Sequence, residues 1–201
     1  MIDQLGVFFL AGHETTASAL TWAFYILADQ PKWIERLRAE VDREIGGGTI
    51  GFEKIRQLTL VKAFFKETLR LYPPITFMPR VAVREAKVGG RRLRKGALVM
   101  ISPWVLHRHS KLWRDPHVFR PERFLPDKEK EIVPGSYIPF GQGPHTCVGA
   151  GFAQTESILI IAELVRHFDW KLEADQRVRP AARMTTRPAK EIMLHVRHRS
   201  E

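Results

Sequence analysis

The sequence predicts a mainly α fold with small β-sheets, and three observations carry that reading. Residues 4–28, 31–45, 58–71 and 150–167 show helical apolar spacing or nearly unbroken apolar character. Short β-prone segments bounded by glycine and proline lie between them. Residues 103–139 are dense in proline and charge, the composition of a meandering connection rather than of regular structure.

The first run, QLGVFFLAGHETTASALTWAFYILA, is apolar almost all round, so a buried central helix is expected there, with Asp3 available to cap it. Pro31 opens a second helix with Trp33, Ile34, Leu37, Val41 and Ile45 on one side, and Gly46, Gly47 and Gly48 end it. A third, from about Leu58 to Leu71, stops before Pro73 and Pro74, which cannot continue it. MPRVAV and GALVMIS read as strands around a Gly89-Gly90 turn. Within the meander one short helix is expected at WVLHRH; irregular stretches of this length are uncommon unless functional. FGQGPHTCVG then leads into a helix over residues 150–167, followed by strands near FDWKLE, RMTT and IMLHV.

Composition narrows the function. At 201 residues, 44% hydrophobic and 27% charged, the chain can bury the core of one domain. Its formal charge of +10 raises nucleic acid, an anionic surface or an acidic protein as partners. The basic run from Arg80 to Lys95 lacks any aromatic residue on which bases could stack, so no nucleic-acid partner is expected. Cys147 is the only cysteine, which excludes an intramolecular disulfide and a multi-cysteine zinc site. The apolar start is interrupted at His13 and Glu14, so neither a leader nor a membrane span is expected. A cytoplasmic piece is expected, with an upstream anchor left open. So long a core helix at an abrupt chain start also predicts that sequence belonging before it is missing.

Four clusters could carry chemistry. Glycines 141, 143 and 149 with Pro144 frame Cys147 in a turn that enters a helix, a geometry that presents sulfur to a ligand and favours the thiolate. AGHETT sets Glu14 and Thr15 in an apolar helix, where an unpaired carboxylate is costly. They could relay protons to a centre above Ala11 and Gly12. Alternatively Thr15 bonds its own helix and Glu14 finds a basic neighbour. In KETLR, Glu67 and Arg70 stand at i, i+3, an ordinary ion pair unless Arg123 of PERF joins it in a buried network. Arg80 and His145 could meet a small polyanion, or could simply be solvated.

In this order and over nearly the whole chain, AGHETT, KETLR, RPERF and FGQGPHTCVG resemble the C-terminal half of a cytochrome P-450, the haem-thiolate monooxygenase family. The resemblance implies that residues 1–201 form the C-terminal part of a single haem-binding domain whose N-terminal half has no counterpart here. It makes Cys147 the axial ligand of a haem b iron, Phe140 a shield for the sulfur, and Arg80 and His145 partners of the haem propionates. Ala11 and Gly12 would face the haem, while Glu14 and Thr15 would steer protons to oxygen activated there. Glu67, Arg70 and Arg123 would form a structural network behind it. An apolar substrate would be lined by Phe8, Ile75, Thr76, Phe77, Met184 and Thr185. The other partners implied are O2 and an external electron-donor protein, a ferredoxin or a flavoprotein reductase. Without the other wall of the pocket, this piece would bind haem weakly and turn over poorly. Two non-enzymatic readings compete: a zinc-stabilised module using His107, His109, His145 and Cys147, and a basic interaction module.

Overall fold

The computed structural model describes residues 1–173, 176 and 178–199. Helix α1 spans Ile2–Asp29, as the apolar run predicts, but its burial departs from expectation. Residues 1–13 are exposed, and buried positions begin at Glu14 and continue through Ser18, Trp22, Ile26 and Leu27. The reason is that the other described elements pack against α1 from Glu14 onward. Asp3 is not the cap: Met1 occupies that position, no side chain closes it, and Asp3 lies in the first turn. There its negative charge still favours the positive end of the helix.

Helix α2 runs over Lys32–Ile45 and ends where Gly46 adopts φ 62°, a conformation that L side chains resist. A single turn, α3 (Phe52–Ile55), leads to α4 (Thr59–Leu71). The predicted apolar side of α2 is wholly buried, and Leu37 and Val41 meet Val61 and Phe64 of α4 in one core cluster. Burial of a side chain of this kind contributes roughly 1.5–3 kcal/mol. Glu40 of α2 closes the start of α4. Its carboxylate accepts from the backbone N–H of Leu60 (2.8 Å) and of Val61 (2.9 Å) and from the Thr59 hydroxyl (3.0 Å). Those amides have no partner within their own helix.

Among the described residues four two-stranded antiparallel sheets follow. Strands β1 (Met78–Val81) and β4 (Leu98–Ile101) pair with each other, Arg80 opposite Val99. The Gly89-Gly90 turn belongs to a separate exposed hairpin between them, β2 (Ala86–Val88) and β3 (Arg91–Leu93), which the sequence reading merged with its neighbours. Gly89 and Gly90 both take positive φ there. Strand β5 (Phe168–Leu172) pairs with β8 (Leu194–His198), as FDWKLE and IMLHV suggest. The RMTT strand is a correction: Arg183–Thr185 turn the chain between β6 (Pro180–Ala182) and β7 (Thr186–Pro188).

The meander carries one helical turn, α5 (Pro103–Leu106), capped by the Ser102 hydroxyl, and a 3-10 turn at Pro121–Phe124. Helix α6 occupies Ala150–His167, the predicted span, and lays Ile158, Ile161, Ala162 and Val165 into the same core as α2 and α4.

Candidate functional site

Three groups of residues are built by this fold, and the first is the cysteine loop. Gly141 and Gly143 both sit at φ 77°, so the turn demands glycine at two places. A side chain on Gly141 would be in ordinary contact with the backbone oxygen of His145 (3.4 Å) and the Met78 sulfur (3.7 Å), which shows β1 lying against the loop. The Cys147 amide donates to the Phe140 carbonyl (2.9 Å), closing the loop and leaving the thiol exposed at the entry to α6. Phe140 is half-buried at the edge of the core, and His145 is exposed. Arg80 shares a strand face with Met78, since alternate residues point the same way, and its guanidinium donates to its own neighbour's carbonyl at Pro79 (2.8 Å).

The second group joins α1 to the β6–β7 hairpin. Glu14, Ser18 and Trp22 recur every four residues and form one face of α1. The Ser18 hydroxyl and the Trp22 indole N–H both donate to the Thr186 carbonyl, each at 2.7 Å. Thr186 in turn donates its amide to Pro74 (2.9 Å) and its hydroxyl to Pro73 (2.7 Å). Thr186 is therefore a buried node fastening α1, the double-proline segment and the hairpin together.

On either side of that node, Thr185 donates its hydroxyl to Glu14 Oε1 (2.6 Å) and Arg187 donates Nε to the same oxygen (2.8 Å), with a second Arg187 nitrogen on Oε2. The Thr185 hydroxyl, followed by the Arg187 guanidinium, holds the Glu14 carboxyl below the ordinary carboxylate range. Thr15 instead donates to the Ala11 carbonyl of its own helix (2.8 Å). Glu14 and Thr15 thus have separate partners, the arrangement that the structural alternative anticipated.

The third group is the network behind α4. Glu67 and Arg70 are both 0% exposed and share two hydrogen bonds of 2.7 and 2.8 Å. Arg70 also donates to the carbonyls of His107 and Pro116, each at 2.7 Å, and to that of Val118 at 3.1 Å. Glu67 receives the Arg120 amide (2.7 Å) and Arg123 Nε (3.4 Å). The pair is a satisfied buried ion pair holding the meander, not a surface contact. His107 completes it. Its Nε2 accepts from the Ile138 amide (2.9 Å) and its Nδ1 faces the Arg70 carbonyl (3.2 Å). Burial pushes the His107 imidazole down to about 4. With both ring nitrogens engaged inside the protein, His107 has none left for zinc. Among the described residues no cluster of three or more His, Cys, Asp or Glu is placed to hold a metal, so the zinc reading is corrected.

The expected pocket residues are spread over three segments: α1, the stretch after Pro74 and the β6–β7 turn. Phe8, Phe77 and Met184 are exposed, Ile75 and Thr76 half-buried. Thr185, expected to stand with Met184, is 2% exposed with its hydroxyl on Glu14. Sequence reasoning missed Arg187, Thr186, Arg120 and the structural use of His107. The stripe of Glu14, Ser18 and Trp22 was the only visible hint, because the partners lie more than 160 residues away.

A haem needs a thiolate with free approach, cationic partners for its carboxylates and an apolar surround. Cys147 is exposed, with Val148 (89%) and Phe152 (73%) exposed beside it, Arg80 and His145 lie on the adjoining strand and loop, and a side chain added at Gly12 would meet nothing within 4 Å. The residues present fit the group.

Among the described residues no helix is long and apolar enough to cross a membrane. The chain is 39% identical over 183 residues to cyclooctatin synthase of Streptomyces melanosporofaciens, covering 91% of this chain and 40% of that protein. It is 38% identical over 192 residues to a cytokinin hydroxylase of Arabidopsis thaliana, covering 94% and 36% respectively. The crystal structure of a cytochrome P450, CYP102L1, superimposes with a TM-score of 0.90 at 29% identity, over 98% of this chain and 45% of that one. The chain spans about two-fifths of the length of the curated relatives it matches. The cytochrome P450 family model matches residues 1–196, and with the four motifs standing on the elements just described, the chain belongs to the cytochrome P450 family.

Proposed function

We propose that this chain is the haem-binding C-terminal part, residues 1–201, of a monooxygenase that inserts one atom of O2 into an apolar organic substrate. The observation that carries the reading is the Cys147 thiol, exposed on a loop whose turn requires glycine at two positive-φ positions. Haem b would supply the oxygen-activating chemistry, and the Cys147 thiolate would contribute electron density to it. Cys147 would hold the iron. Phe140 would keep water from the sulfur, and Arg80 and His145 would neutralise the propionates through charge-assisted hydrogen bonds. Ala11 and Gly12 would face the ring, and Glu14 and Thr15 would hold and pass protons on that side. Phe8, Ile75, Thr76, Phe77 and Met184 would meet the substrate, while the buried Thr185 stands behind Met184 with its hydroxyl on Glu14. Hydroxylation, named in the Arabidopsis relative, is the expected outcome. Electrons would come from an external ferredoxin or flavoprotein reductase, in the cytoplasm.

The test is spectroscopic. The chain is titrated with haem, reduced under carbon monoxide and compared with Cys147→His. The expected result is the red-shifted thiolate band in the first and its loss in the second. An imidazole-type spectrum in the unaltered chain, or the same band in the variant, would overturn the proposal.

A further inference from the structure

The meander holds a basic cavity that the haem reading does not use. It measures about 370 Å³ and shares no residue with the cysteine loop, β1 or α1. Four cations line it, Arg114, Arg120, Arg123 and Lys128, against two carboxylates, Glu122 and Glu131. The lining therefore carries two positive charges in excess. Glu122 is already engaged by Arg36 of α2 (2.6 Å), which turns one of those carboxylates to a partner outside the cavity. Two donors of the lining have no partner among the described residues: the Trp113 indole N–H and Arg120 Nε. Trp113 is 4% exposed, its ring fixed against Phe124 (6.1 Å) and Tyr137 (6.4 Å) with the Arg70 guanidinium 5.1 Å from it. The ring packs well; its polar edge does not. Arg120 spends one terminal nitrogen on the Asp115 carboxylate (2.7 Å), and that bond leaves Nε unused. Enclosed donors without an acceptor are costly and rare, so two at one basic cavity call for a ligand oxygen.

We propose that this cavity binds a phosphate group, free or carried on a small organic molecule, through the Trp113 indole N–H, Arg120 and Lys128. A phosphate monoester carries close to two negative charges at neutral pH and so matches the excess of the lining, whereas a carboxylate would cancel only half of it. Guanidinium and ammonium donors make short, charge-assisted bonds to its oxygens. Neither unpartnered donor is open to solvent, so the oxygens reach them as the rim side chains swing aside. Those side chains are free to do so: Arg114 is 89% and Lys128 55% exposed. Leu112 and Ile132 supply an apolar wall for the organic part, and the volume lies at the small end of ligand pockets, which run from roughly 300 to 1,000 Å³. Arg123 belongs both to this lining and to the Glu67 network, so an occupied site also braces the meander.

The experiment follows the indole N–H signals of the full chain, labelled with 15N at tryptophan, as inorganic phosphate is added at constant ionic strength. Trp113→Phe identifies the signal of interest. That signal should shift and saturate while the other indole signals stay in place, and chloride at the same ionic strength should leave it unmoved. Arg120→Gln and Lys128→Gln should each weaken half-saturation by about tenfold, the loss expected for one charge-assisted hydrogen bond. Both variants leave the interior intact, because the Arg120 backbone amide keeps its bond to Glu67 and Lys128 stands at the exposed rim, and circular dichroism checks their folding. Phenyl phosphate distinguishes the sources: tighter binding than inorganic phosphate assigns the site to an organic phosphate lying on the apolar wall, and equal binding assigns it to the free ion. A Trp113 signal that stays fixed with both phosphates, drifts without saturating, or saturates equally in the two folded variants would overturn the proposal. No haem enters the measurement, so its outcome is independent of the monooxygenase reading.

Discussion

Acidifying this chain should destabilise it through one buried imidazole. His107 is 0% exposed, its Nε2 accepts from the Ile138 amide, and burial holds it at about 4 against an ordinary 6.5. The folded state therefore resists a proton that the unfolded chain takes up readily. Stability from this group is fully present above the unfolded value of 6.5 and is lost as pH falls toward the folded value of about 4. The gap corresponds to about 3 kcal/mol, a large part of the stability of a typical domain. Urea unfolding of the chain and of His107→Gln across that range measures it. Glutamine retains an acceptor for Ile138 but cannot titrate, so the variant should start less stable and lose less on acidification. The carboxyls of Glu14 and Asp169, which are held low by their own partners, contribute equally to both chains and cancel in the difference. A stability difference between the two proteins that stays constant from about pH 7 to about pH 4 would refute the reasoning.

Two further perturbations follow from the same interior. Glu67→Ala strands Arg70, the Arg120 amide and Arg123 without their shared acceptor, and should cost roughly 3–5 kcal/mol in urea unfolding, because a buried cation is left unpaired. Arg123→Lys, at the rim of that network, should cost much less. Glu40→Ala uncovers the first amides of α4 and should lower stability by about 1–2 kcal/mol, with thermal unfolding followed at the helical circular dichroism signal. Glu40→Gln should recover part of the loss by keeping one acceptor.

How much of this was legible in the sequence depends on how far each signal reaches along the chain. The spans of α4 and α6 were readable because proline and glycine act on their own neighbours. The cysteine loop was readable for the same reason, its glycines being required by local backbone angles. The β2–β3 hairpin was missed because its strands are three residues each and exposed, leaving no apolar alternation to read. The exposure of the first turns of α1 was also invisible, since an apolar run states what a helix can bury, not what packs upon it.

The sequence by itself determined the helices, the glycine-framed cysteine and the membership of Glu67 and Arg70 in one helical pair. Only the tertiary structure decided that this pair is buried and shared with Arg120, that His107 belongs to the interior rather than to a metal, and that Glu14 is held by Arg187. Helical spacing and turn chemistry are short-range and written in adjacent residues. The partner of a buried charge is chosen by whichever distant segment the fold delivers to within hydrogen-bonding distance, and nothing in the local sequence names it.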